Sequence, residues 1–129
     1  MVRYTQKQID KFNRQKYITE LEKISKNLFR MFRDEHVSAE DFVRKFEQLK
    51  KKFDEKSEVQ LESEYHQLLK EYIIRLYQQT CRVEDFTDKH FSDIREAEMS
   101  NLNRLQKLKN GATYKIVKHK SNRQKVEWG

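Results

Sequence analysis

The chain has 129 residues, of which 38 % are charged and 36 % hydrophobic, with 28 basic against 21 acidic side chains and a formal net charge of +7. That is one domain's length, and so little apolar material coats one or two faces of a few helices without filling a large α/β core. Two glycines and no proline argue against Rossmann folds, sandwiches and barrels, which need tight turns, and no apolar run reaches membrane-spanning length.

Thr5-Gln6-Lys7-Gln8 reads as a capping box, in which the Thr oxygen takes an early amide and Gln8 reaches back. Apolar residues follow at Ile9, Phe12, Tyr17, Leu21, Ile24, Leu28 and Met31. From Tyr17 onward their spacing is helical, which predicts a helix over 6–34. Ser38, with Glu40 and Asp41 behind it, opens a second helix, because a Ser oxygen caps and carboxylates suit the positive helix end. Phe42, Phe46, Leu49 and Phe53 carry it over 39–54 as core residues. Ser57-Glu58-Val59-Gln60 reads as another capping box. Leu61, Tyr65, Leu68, Tyr72 and Leu76, in a stripe widened by Leu69, Ile73 and Tyr77, then predict a third helix over 58–80.

Near 82–86, mediocre helix formers and the cap candidates Asp85, Thr87 and Asp88 favour a bend; one continuous helix over 58–109 is the alternative. Phe91, Ile94, Ala97, Leu102, Leu105 and Leu108 mark a fourth helix, expected to stop at Asn110-Gly111. Beyond it, residues 113–118 and 124–128 are β-prone. A loop at Lys120-Ser121-Asn122 would set Ile116 against Val126, Tyr114 against Trp128 and Lys115 against Glu127. The expected fold is mainly α: an antiparallel up-and-down bundle of about four helices over 1–110, followed by a basic β-hairpin or flexible tail over 111–129.

Charge is unevenly spread. Residues 1–33 hold nine basic and three acidic side chains, 34–106 twelve and seventeen, and 107–129 seven and one. In an up-and-down bundle both basic ends meet at one pole, and like charges gathered there disfavour the compact state unless a polyanion neutralises them. The candidate nucleic-acid-binding residues are Lys7, Lys11 and Arg14 on the first helix and Lys107, Lys109, Lys115, Lys118, Lys120, Arg123 and Lys125 near the other end. Tyr4, Tyr114, His119 and Trp128 stand among them as stacking partners for bases. The expectation is a non-enzymatic accessory or regulatory protein that holds RNA or DNA through its phosphates. The alternative is an adaptor or assembly subunit that presents helical faces to another protein, an acidic surface or a second copy of itself.

Other chemistry finds little support. The histidines His36, His66, His90 and His119 lack the second His or Glu spacing of a di-iron bundle, and no metal or other cofactor is expected. Cys81 reads as a small half-buried residue at a helix end and not as a nucleophile. As the single cysteine it forms no internal disulfide. No signal-peptide pattern is recognised, and a cytoplasmic location is expected. No glycine-rich loop offers a phosphate cradle.

In Arg30-Met31-Phe32-Arg33-Asp34-Glu35-His36 an Arg stands six residues ahead of a His at a helix end. This spacing resembles that of HEPN-type helical ribonucleases over seven residues, with Met31 where that family usually carries a polar residue. The resemblance implies RNA cleavage by Arg30 and His36 across a dimer interface.

Overall fold

The computed structural model describes residues 4–120, which form four helices: α1 (Gln6–Arg33), α2 (Ala39–Asp54), α3 (Glu64–Thr80) and α4 (Asp88–Lys120). Three of the starts follow directly from local chemistry. Thr5 Oγ1 accepts from the Gln8 amide at 3.2 Å while Gln8 Oε1 accepts from the Thr5 amide at 2.9 Å, so the capping box forms. Ser38 Oγ accepts from the Asp41 amide at 3.1 Å. At α4, Thr87 Oγ1 accepts from the His90 amide at 3.3 Å, and His90 Nδ1 sits 2.9 Å from the Asp85 carbonyl.

The third helix begins later than its apolar spacing predicts. Ser63, not Ser57, caps it, accepting from the His66 amide. With no Gly or Pro to reverse the chain tightly after α2, an extended stretch makes the return. It buries Leu61, and Gln67 Nε2 donates to the Leu61 carbonyl at 2.7 Å.

Helices α3 and α4 are separate, so the continuous-helix alternative does not hold. Thr80 is buried, and its hydroxyl donates back to the Leu76 carbonyl at 2.8 Å. Cys81 then ends the helix, with Sγ facing the Val43 carbonyl.

The other departure is at the far end of α4. The helix runs through Asn110 and Gly111 to Lys120, so residues 113–118 are helical turns and not the first strand of a hairpin. No strand occurs among the described residues, and the second strand expected at 124–128 lies outside them. Extending an existing helix adds one hydrogen bond per residue fixed, whereas a lone two-stranded hairpin is marginal in water. The β-propensity of Thr, Ile and Val, a preference that depends on strand partners to pack against, does not outweigh that difference.

Successive helices run antiparallel. Tyr17 of α1 packs on Phe53 near the end of α2, with ring centroids 4.5 Å apart. At the opposite end, Phe32, Phe42 and Phe91 bring together the end of α1 and the starts of α2 and α4, at 4.8–5.7 Å between centroids. Asp88 Oδ1 accepts from the Ala39 amide at 2.7 Å, tying two helix starts. Arg95 Nε donates to the Phe32 carbonyl at 2.8 Å, a cation on the negative end of α1. Phe42, Phe46 and Phe53 are core, as expected. On α3 the innermost residues are Leu69 and Ile73, while Leu68 turns outward. Tyr72 is buried with its hydroxyl donating to Glu98 Oε1 at 2.9 Å. No helix among the described residues is long and apolar enough to cross a membrane.

Candidate nucleic-acid interface

α1 gives one face to the core through Tyr17, Leu21, Ile24, Leu28 and Met31. Its outward face carries Lys23, Lys26, Arg30 and Arg33, all exposed. Steps of three, four and three hold them on one line, about 15 Å long at ~1.5 Å per residue. Lys16 extends the line by one heptad. Among the described residues none of these five cations forms an ion pair with a carboxylate. The Arg33 guanidinium lies over the Phe29 ring, 5.8 Å from its centroid, which holds one end of the row against the helix.

Beside this row, α1 and α4 leave a groove of about 950 Å³. Ile18, Phe29, Tyr65 and Leu102 contribute apolar lining, and Gln15, Asn103 and Gln106 contribute amides. The cations thus edge a cleft whose other wall both donates and accepts hydrogen bonds.

The groove is held by one carboxylate. Glu22 of α1 lies 3.0 Å from His66 Nε2 of α3 and accepts from Lys109 Nζ of α4 at 3.0 Å. Lys109 also stands 5.6 Å from the centroid of the Tyr65 ring. Burial works to raise the Glu22 pKa, but the hydrogen bonds and charges of His66 and Lys109 outweigh it and hold the carboxyl below its ordinary 4.5. Burial pushes the Tyr65 phenol up. The clamp joins three helices at the groove and removes Lys109 from the cations that face solvent alone.

The ten residues singled out from the sequence fall into three groups. Lys7 and Lys11 on α1 and Lys107 on α4 are exposed and meet no carboxylate among the described residues. Arg14 and Lys109 are turned onto the protein itself: Arg14 lies 3.7 Å from Glu62 with its Nε buried and unpartnered among the described residues, and Lys109 is bound to Glu22. Lys115, Lys118 and Lys120 belong to the last turns of α4, and Arg123 and Lys125 lie outside the described residues. The Arg95–Phe32 and Lys109–Glu22 contacts fix α1 and α4 as antiparallel. The start of α1 and the end of α4 therefore lie on the same side of the Glu22 clamp.

The row at Lys23, Lys26, Arg30 and Arg33 is the feature that segment charges conceal. Glu20 and Glu22 share its stretch of sequence and lower the sum, although Glu22 is engaged by His66 and Lys109 and, among the described residues, neither carboxylate pairs with a cation of the row. Reading cations at helical spacing, as is done for apolar residues, reveals it.

Alternative chemistries find less. Burial pushes the Cys81 thiol up to about 11, which disfavours a thiolate nucleophile. Among the described residues no three His, Cys, Asp or Glu side chains gather closely enough to hold a metal ion. His90 bonds to Asp85 and Thr87, and Asp93 pairs with Lys89. Arg30 lies at the groove, while His36 sits exposed in the turn after α1, its amide donating to Asp34 Oδ1 at 2.9 Å. No protein-family model, no curated protein and no solved structure matches this chain.

Proposed function

We propose that this protein binds nucleic acid, RNA or DNA, through its phosphates, as a non-enzymatic accessory or regulatory protein. The observation that carries this reading is the line of Lys23, Lys26, Arg30 and Arg33 along one edge of the α1–α4 groove. The four are exposed and unpaired with carboxylates among the described residues. Cations held at this spacing repel one another, and a chain of phosphates relieves the repulsion while releasing its counterions. Apolar and amide groups in the groove offer bases somewhere to go. Lys7 and Lys11 on α1 extend the basic field past the clamp.

The test is the affinity of the full chain for a fluorescently labelled oligonucleotide at low salt. Replacing Lys26 and Arg30 together by Ala should weaken binding about ten-fold or more, since a phosphate left without its cation keeps its counterions and gives up that share of the driving force. Replacing Lys51 and Lys52, exposed cations on α2 outside the groove, removes the same formal charge and should change little. Equal losses from both pairs, or none from the first, overturn the assignment of this face.

A second reading draws on a different surface. Between α3 and α4 a groove of about 600 Å³ exposes Leu68 (37 %) and Leu108 (36 %) beside Leu105. Apolar side chains in a cleft suit a protein partner, as an adaptor requires. Binding there would depend weakly on salt and strongly on Leu68 and Leu108.

A further inference from the structure

We infer that the strand lying along α1 is single, and that its unpaired bases stack on Phe12 and Tyr4 at the start of that helix. The inference rests on the nucleic-acid reading above and narrows it to a substrate class. Its starting point is a pair of aromatic rings that the fold does not use. Phe12 is 44 % exposed and Tyr4 54 %. Their centroids are 5.2 Å apart with ring planes at 90°, and Ile9 is also exposed beside them. The buried stripe of α1 begins only at Tyr17, so these rings contribute little to the core.

Their position gives them a use. Phe12, Lys16, Thr19, Lys23, Lys26, Arg30 and Arg33 follow one another at alternating steps of four and three, so aromatic and cations share one line along α1. From Phe12 to Arg33 the line is about 32 Å long at ~1.5 Å per residue, with the aromatic pair at one end. A duplex winds away from a straight line of cations and hides its base faces in the stack, offering only edges in the grooves. A single strand can follow the line and present a π-face at every base. The amides of Gln15, Asn103 and Gln106 in the adjoining groove can meet the donor and acceptor edges that an unpaired base exposes. A solely electrostatic surface would need neither the aromatics nor the amides.

Fluorescence anisotropy of the full chain tests this, with a labelled mixed-sequence DNA strand of about a dozen nucleotides, a length within the usual single-strand site sizes. The strand is offered free or annealed to its complement at one fixed ionic strength. The free strand should bind about ten-fold more tightly than the duplex. Phe12→Ala should weaken the free strand about five-fold or more, the loss of one base–aromatic stack, while leaving the duplex unchanged; Phe12→Trp should restore it. Because Phe12 is exposed, neither variant disturbs the core. Equal affinity for strand and duplex, or a Phe12→Ala variant that binds the strand normally, overturns the single-strand inference and leaves nucleic-acid binding standing. Absence of binding to both probes at low salt overturns that reading as well.

Discussion

Phe42 touches the rings of Phe32, Phe46, Phe86 and Phe91 and is fully buried. Phe42→Ala would leave a cavity where three helix ends meet, and we expect a loss of ~3–5 kcal/mol, read as a lower urea midpoint. Phe12, of the same residue type, should cost under ~0.5 kcal/mol when replaced, because it stands outside the core. Glu22 makes a different kind of prediction. Its carboxyl pKa is depressed in the folded chain, so its contribution to stability is present above the unfolded value of 4.5 and is lost as the pH falls through the lower native value. The stability difference between the native chain and Glu22→Gln should therefore be largest near neutral pH and shrink below pH 4.5; a difference independent of pH contradicts the clamp. Cys81, with its thiol raised to about 11, should react with iodoacetamide much more slowly in the native chain than in urea at the same pH.

At the scale of elements, the helix starts show what can be read from a sequence and what cannot. Thr5 and Ser38 cap where their side chains predict, because a cap is local chemistry within four residues. Ser57 carries the capping-box pattern, yet Ser63 is the residue that caps. The stretch between them lies outside the helix and buries Leu61 in the core, a tertiary contact that local cap chemistry does not report. The end of α4 is illegible for a related reason. Asn110-Gly111 is a common helix stop, but a stop is realised only if the glycine turns left-handed, and here it continues the helix. That gives a direct check. In a helix interior Gly111→Ala should stabilise the chain by up to ~1 kcal/mol and raise its helical circular dichroism, whereas the same change at a left-handed cap would destabilise it. The apolar stripe of α3 has the period its spacing predicts, with Tyr65, Tyr72 and Leu76 buried, but its centre lies on the flanking Leu69 and Ile73, and Leu68 turns out. Periodicity fixes a stripe's direction more firmly than its centre.

Over the whole molecule, the helical composition, the alternating helix directions and the basic character of both ends follow from caps, spacing and charge. The placement of single cations does not, because an ion pair between distant segments is a tertiary fact. Arg14 meets Glu62 and Lys109 meets Glu22, and nothing in the local sequence foretells either. What emerges is a bundle with a line of cations that meet no carboxylate among the described residues, at a groove on the α1–α4 side, and exposed leucines between α3 and α4. The two faces respond differently to salt, steeply where cations hold phosphates and release counterions and weakly where apolar surfaces meet. The most direct test is the affinity of the full chain for a labelled single strand measured from about 50 to 200 mM salt. Neutralising about four phosphates should give a straight log–log line and a loss of about 50-fold over that range. A nearly flat dependence, or no binding at the lowest salt, would contradict the cationic groove as the working surface of this protein.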